Sequence, residues 1–247
     1  MPWRRTKNSY HILLSEVMLQ QTQVERVLVK YPEFLKSFPD LPALAKAPLA
    51  EVLRLWQGMG YNRRAISLKK LSELILHEYQ GKLPMDPEEL VKLPGIGRYS
   101  ASAIYTFATN KPTCFIETNI RRVYIHFFFD DREGIGDDEI MPLVEKTMDS
   151  KNPREWYYAL MDYGVKLKKE VTNPNRRSAH YTKQSKFEGS DRQLRGMILK
   201  ALLNSPGMTK TSLKKRMATV PDNFDQILDG LLAEGFLKKI RGRLSIA

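Results

Sequence analysis

The sequence predicts a mainly α-helical protein, two helical lobes followed by a small C-terminal α+β unit. Three observations carry this expectation. From about Tyr10 to Leu167 apolar residues recur at spacings of three and four, interrupted by short breaks at Pro, Gly, Asn or Asp. Strand patterns are nearly absent from that region. The last stretch, Gly235 to Ile246, instead alternates apolar and basic residues around Gly242, which is the pattern of a β-hairpin.

Taken in order, the periodic segments place helices near residues 10–30, 48–57, 62–79, 86–92, 98–109, 118–129, 138–149 and 153–167. Residues 172–190 carry no period and are rich in polar and basic types, so a loop or linker is expected there. Beyond it, helices are expected at 191–204, near 209–217 and near 222–234, ahead of the hairpin. Because 247 residues exceed the usual size of one domain, the chain divides into residues 1–171, a basic linker at 172–190, and a separate unit at 191–247. Three helices and a basic hairpin in that last unit resemble a winged-helix domain.

Charge narrows the function. The chain carries 40 Lys and Arg against 28 Asp and Glu, a net +12. Residues 172–247 hold 15 of those cations and 6 of the anions, so +9 of the excess lies in the C-terminal third. A polyanion such as nucleic acid is the expected partner. No run has the length of a membrane span and the opening residues lack a signal-peptide core, so a soluble protein of the cytoplasm is expected, nucleoid-associated in a bacterium or archaeon. The one cysteine, Cys114, sits in the apolar run Thr113-Cys114-Phe115-Ile116 and reads as a structural thiol; it excludes an internal disulfide and any all-cysteine metal cluster.

The segment Lys92-Leu93-Pro94-Gly95-Ile96-Gly97-Arg98-Tyr99 is the strongest motif. Two glycines one apart let the backbone turn tightly and approach a ligand closely, since neither carries a Cβ. The helix that follows presents free N–H groups to an anion. Pro94, Gly95, Gly97 and Arg98 are therefore candidate phosphate contacts. Upstream, Glu16 lies among Leu13, Leu14, Val17 and Met18 in an apolar helix, where a carboxylate is costly without a use or a partner. If desolvated, it has a raised pKa and donates protons near neutrality; if on the surface, it is an ordinary ion-pair residue.

Together these segments resemble the helix-hairpin-helix DNA glycosylases, and among them the adenine glycosylases of the MutY type. The likeness runs from Pro2-Trp3-Arg4 through Leu14 to Val24, Gly58-Met59-Gly60-Tyr61 and Phe115 to Val123, ending at Met161-Asp162-Tyr163-Gly164. It implies the helix-hairpin-helix fold and duplex DNA with a mismatched or damaged base as partner, handled by a monomer. It also implies roles. Glu16 protonates the adenine ring nitrogen. Gln20, Gln21 and Thr22 insert at the lesion, Tyr61 wedges beside the opposite base, and Trp3 and Arg4 line the base pocket. Arg63 and Arg64 read as phosphate contacts or as solvated surface.

Tyr99 stands where relatives that also cut the strand carry a lysine nucleophile. A tyrosine forms no Schiff base, so a monofunctional glycosylase is expected. The family pattern near residue 117 is Asp-Gly-Asn, whereas this chain has Glu117-Thr118-Asn119. A carboxylate beside the departing sugar survives, displaced by one methylene, and Glu117 also suits a helix cap. The four cysteines that follow Gly164 in cluster-bearing members are replaced by Val165-Lys166-Leu167-Lys168-Lys169-Glu170, so no iron–sulfur cluster is expected. A monovalent cation at the hairpin turn is the one ion the resemblance leaves room for. The winged-helix-like unit stands where a Nudix-like domain senses oxidised guanine, so that preference does not follow from the resemblance. Two other readings stay open: a thymine or uracil mismatch glycosylase, and a DNA-binding protein that has lost catalysis.

Overall fold

The computed structural model describes residues 1–217 and 220–247. After a 3-10 turn at Pro2–Arg5 the helices run α1 (Ser9–Leu19), α2 (Val24–Ser37), α3 (Leu41–Lys46), α4 (Leu49–Trp56), α5 (Arg63–Glu78), α6 (Pro87–Val91), α7 (Arg98–Thr109), α8 (Thr118–Phe128), α9 (Asp137–Thr147) and α10 (Pro153–Glu170). A second 3-10 turn, Pro174–Arg177, precedes α11 (Asp191–Asn204), β1 (Met208–Thr209), α12 (Lys210–Lys215), α13 (Phe224–Ala233), β2 (Leu237–Ile240) and β3 (Arg243–Ile246). The described residues are mainly helical with a small C-terminal sheet, as the periodicity predicts.

Two compact units form. The first comprises Met1–Glu16 and Leu83–Gln184. Its core gathers Ile12, Phe107, Phe115, Ile120, Tyr124 and Tyr157, with the rings of Phe115 and Tyr157 stacked 3.8 Å apart. Helices α8 and α10 press together at Gly164, where a Cβ would lie 2.4 Å from the Asn119 carbonyl oxygen; only glycine permits that approach. The stretch expected as a plain linker begins inside this unit. Asn175 Nδ2 donates to the Thr118 carbonyl (2.8 Å), Arg177 donates to the carbonyls of Ile125 and Phe129, and Ser178 forms a parallel bridge with Ile135.

The second unit comprises Val17–Lys82 and Ser185–Ala247. Val27, Tyr31, Phe34, Trp56, Leu68 and Leu71 are buried in its first segment, and Leu194, Ile198, Leu213, Phe224, Leu231 and Leu244 in its second. The C-terminal sheet has the order β1-β3-β2 and is antiparallel throughout, pairing Met208 with Leu244 and Leu237 with Ile246. Strand β1 adds a short edge to the expected hairpin. The order helix, strand, two helices, hairpin is that of a winged helix.

The single helix expected at 10–30 is two helices. It breaks after Leu19, and Gln21 takes a left-handed φ of 54°. Gln20 to Gln23 offer no apolar face, and the last carbonyls of α1, at Val17 and Met18, are taken by the Arg64 guanidinium at 2.9 and 2.8 Å. Helix α2 then continues past Pro32 to Ser37, and α3 was not foreseen, although Asp40 caps it by accepting from Ala43 N at 2.7 Å and Pro42 sits in its first turn.

Candidate active site

Residues Ile12 to Met18 of α1 are all buried, so Glu16 has no solvated side to turn to; it is 7% exposed. Tyr99, in the first turn of α7, donates its hydroxyl to Glu16 Oε2 at 3.3 Å. Burial raises the Glu16 pKa to about 7 against the opposing Tyr99 hydrogen bond, while the negative charge of Glu117 raises it further and Arg4 lowers it. The carboxyl is thus poised to hold and release a proton near neutrality. Burial, and then the charges of Glu16 and Glu117, push the Tyr99 phenol well above its usual range, so it stays a neutral donor. Its ring meets Phe115 edge-on at 5.6 Å.

Glu117 is the N-cap of α8. Its Oε1 accepts from the backbone N–H of Asn119 (2.7 Å) and Ile120 (2.9 Å), and its Oε2 accepts from Asn119 Nδ2 at 3.1 Å. Burial raises its pKa, opposed by those backbone donors and by Arg122 and Arg121. The Asn119 amide is oriented in turn by Arg122, which donates to Asn119 Oδ1 (2.6 Å), to the Gly164 carbonyl (2.7 Å) and through Nε to Asn173 Oδ1 (3.1 Å). A chain of hydrogen bonds therefore leads from the segment after α10 to the Glu117 carboxylate. The capping function and the placing of a charge beside Glu16 are performed by one side chain.

Arg4 binds Asp162 through two hydrogen bonds of 2.7 and 2.9 Å, with its guanidinium 4.5 Å above the Tyr158 ring, and Trp3 is buried beside it in sequence. The glycine turn lies between α6 and α7. Gly95 has φ +80°, and Ile96 N closes the turn on the Leu93 carbonyl at 3.1 Å. Gly97 caps α7 with an ordinary φ of −89°, offers no side-chain cap, and a Cβ there would meet nothing within 4 Å. Neither backbone conformation nor packing requires glycine at 97; its absent side chain leaves open space in front of the helix start. Gly95, Gly97 and Arg98 are exposed and Pro94 is half-buried.

In the second unit, Gln20, Gln21 and Thr22 form the turn after α1, and Gly58, Gly60 and Tyr61 all have positive φ. Arg64 binds these two loops together. Besides the α1 carbonyls it donates to Thr22 Oγ1 (2.8 Å) and to the carbonyls of Met59 (3.2 Å) and Gly60 (3.1 Å). Burial lowers its pKa to about 10, which leaves it charged. It is thus a buried brace, not a phosphate contact. Its neighbour Arg63 points outward but is paired: Nε and Nη2 bind Glu234 at 2.8 and 2.7 Å, and Arg195 binds the same carboxylate at 3.0 and 2.6 Å. Tyr61 Oη accepts from Arg192 at 2.9 Å.

Sequence reasoning missed Arg64 as a brace, Arg122 and Asn173 as the support of Glu117, and Tyr158 and Asp162 as the seat of Arg4. For Arg64 a signal existed: residues 64, 68, 71 and 75 share the buried face of α5. For Arg122, its place three residues after Asn119 on α8 was the clue.

A family model described as "HhH-GPD superfamily base excision DNA repair protein" matches residues 14–148. The chain belongs to this superfamily. An adenine DNA glycosylase of Mycolicibacterium smegmatis is 32% identical over an alignment covering 100% of this chain and 91% of that relative. Another from Buchnera aphidicola subsp. Baizongia pistaciae is 38% identical over 169 residues, 67% of this chain but only 47% of the relative, so the chain spans about half that protein's length. Among solved structures, a thermostable thymine-DNA glycosylase superposes with a TM-score of 0.63 at 27% identity, over 67% of this chain and 77% of the other. Endonuclease III in a non-covalent DNA complex shares the fold at a TM-score of 0.56 and 22% identity. The HhH-GPD match takes in Glu16, Tyr61, the glycine turn, Tyr99, Glu117 and Asn119.

Proposed function

We propose that this HhH-GPD protein is a monofunctional DNA glycosylase that hydrolyses the N-glycosidic bond of adenine flipped out of a mismatch, opposite guanine or oxidised guanine. The observation that carries the reading is a buried Glu16 with pKa about 7, hydrogen-bonded to Tyr99 and within electrostatic reach of a second carboxylate. Glu16 gives its proton to a ring nitrogen of the adenine, which leaves as a neutral base when the bond to the sugar breaks. The sugar cation is stabilised by the Glu117 carboxylate, water adds at the anomeric carbon, and its surplus proton passes to a carboxylate. Tyr99 keeps the acid aligned and offers no amine for a Schiff base, so the strand stays intact.

The glycine turn and the start of α7 suit a DNA phosphate, with Arg98 beside them. Tyr61 and the Gln20–Thr22 turn are the elements that fill the stack where the base has left. Trp3 and Arg4 border the base pocket. The reaction draws on no iron–sulfur cluster, which needs four thiolate ligands where this chain has one cysteine, half-buried in the first unit. In a bacterium or archaeon this reading has the protein acting as a monomer in the cytoplasm.

The test is base release from duplexes carrying adenine opposite guanine or oxidised guanine, read as alkali-labile abasic sites. The wild type yields product and Glu16→Gln does not; undiminished product from the variant removes Glu16 from the mechanism. The likeness to a thymine-DNA glycosylase favours one second reading, thymine release from a guanine mismatch. Release of thymine in preference to adenine in the same screen would establish that reading instead.

A further inference from the structure

In a winged helix the third helix is the element commonly laid in the DNA major groove. Here that helix is α13, Phe224–Ala233, which contains Asp225 and Asp229 and neither Lys nor Arg. Asp229 is exposed, and two other acidic groups at this helix are already engaged. Asp225 pairs with Lys210 and Lys214 at 2.9 and 2.8 Å, and Glu234, just past its end, binds Arg63 and Arg195. These interactions hold the Glu234 carboxyl down to about 2, through the Arg63 hydrogen bond first, so it remains an anion at any working pH. A helix of this charge is repelled by phosphate, and its end serves instead to fasten the C-terminal segment to α5 within the second unit.

The hairpin has the opposite character. Leu237 to Ile246 carries Lys238, Lys239, Arg241 and Arg243 with no acidic residue. The register pairs Lys238 with Ser245 and Ile240 with Arg243, and β1 brings Thr209 opposite Arg243, so these five share the face turned away from Leu237, Leu244 and Ile246. Arg241 and Gly242 form the tip, both at positive φ. Ile240 is 59% exposed on this basic face, an apolar side chain with no core to serve.

We infer that the C-terminal unit is a second DNA-binding surface that grips the duplex backbone through the β2–β3 hairpin, without reading sequence and without using its third helix. Lys238, Arg243 and the tip residue Arg241 neutralise phosphates, while Ile240 lies against the sugar edges between them. The contact adds affinity for any duplex and leaves the chemistry at Glu16 untouched. It needs only duplex DNA as partner and does not rest on which base is released.

The experiment measures binding of the full chain to an undamaged duplex of about 30 base pairs from 50 to 200 mM salt, so that no base release enters the reading. Each lost phosphate contact lowers the slope of log affinity against log salt by about 0.9. Lys238→Ala, Arg241→Ala and Arg243→Ala combined are therefore expected to flatten the slope by two to three units and weaken binding about tenfold or more near 100 mM. The charge-keeping Lys238→Arg/Arg243→Lys pair keeps the wild-type slope, which separates lost charge from a damaged hairpin. Single-turnover base release at saturating enzyme is unchanged in both. Gln226→Ala with Asp229→Ala, the exposed polar positions of α13, leaves binding to DNA unaltered. An unchanged slope in the triple variant, or a loss of binding in the α13 variant instead, overturns the inference. Absence of adenine release with the hairpin effect intact would count against the proposed function alone.

Discussion

Replacing Glu16 by Gln is expected to stabilise the protein at alkaline pH while abolishing base release. In the folded state the Glu16 pKa is about 7, against 4.5 for an ordinary glutamate. A folded-state pKa above the unfolded one means that the native form binds the extra proton between these values, so stability falls as pH rises through that window. Ionising Glu16 fully therefore places about 3 kcal/mol against the folded state. Most of this loss develops between pH 5 and pH 8, reduced somewhat by the coupling to Glu117. Glutamine cannot ionise and escapes it. Denaturant unfolding of both proteins at pH 5 and pH 8 gives the quantity free of the pH-independent cost of the substitution: the stability difference between variant and wild type should move in the variant's favour by about 2 kcal/mol. The same shift keeps about half of Glu16 protonated at pH 7 instead of about one molecule in 300, so single-turnover rate should fall as pH rises past about 7. A stability difference unchanged within about 0.5 kcal/mol between the two pH values, together with a flat rate profile from pH 5 to 9, would refute the burial argument.

Four further outcomes follow from the same geometry. Arg64→Ala leaves the carbonyls of Val17, Met18, Met59 and Gly60 without their shared donor, and thermal unfolding should report a loss of about 3 kcal/mol or more; a change below about 1 kcal/mol would mean that Arg64 is no brace. Gly164→Ala sets a methyl 2.4 Å from the Asn119 carbonyl oxygen, so α8 must shift and base release should drop about tenfold or more, with stability falling in parallel. Asn173→Ala removes the acceptor of Arg122 Nε at the far end of the chain leading to Glu117; a fall in kcat at unchanged KM is expected, with partial recovery in Asn173→Asp. Arg192→Ala frees the Tyr61 hydroxyl from its donor, and the signal of a fluorescent base placed opposite the lesion should change on binding while the chemical step persists; identical fluorescence in both proteins would detach Arg192 from the wedge.

Much of the fold was legible because α-helices announce themselves locally. The apolar period of α5, α7, α8 and α10 set their extents to within a few residues, and the alternation around Gly242 set the hairpin. What could not be read depends on residues distant in sequence. The break between α1 and α2 is fixed by Arg64, more than forty residues away, which claims the carbonyls that would continue the helix. The first half of the basic stretch after α10 looks like a linker because its ordering comes from side chains reaching α8: Asn173 to Arg122, Asn175 to Thr118 and Arg177 to Ile125. Two adjacent arginines, 63 and 64, carry the same local signal yet one is exposed and paired to Glu234 while the other is buried, a difference set by which face of α5 each occupies. Glu16 and Tyr99 were recognisable singly, whereas the bond between them was not, since 83 residues separate them.

Glu117 is where sequence and structure bear most sharply on function. A glutamate in place of aspartate displaces a charge, and a displacement of about 1 Å can cost a hundredfold in rate if the charge must face a sugar cation. The structure shows where the added methylene goes. The side chain folds back so that Oε1 accepts from the N–H groups of Asn119 and Ile120, the second and third residues after the cap, which is the bonding an aspartate makes at the start of a helix. The charge is therefore fixed by the α8 backbone, and Asn119 Nδ2, oriented through Arg122, holds the other oxygen. Glu117→Asp should keep both the cap and the carboxylate, and base release should stay within about tenfold of wild type. Glu117→Gln also retains a capping oxygen but turns an amide toward Asn119 Nδ2 and removes the charge, so helix stability should change little while the rate falls about a hundredfold or more. Equal activity in the Gln variant would show that Glu117 serves only as a cap, and the sugar cation would then have to be stabilised by another group.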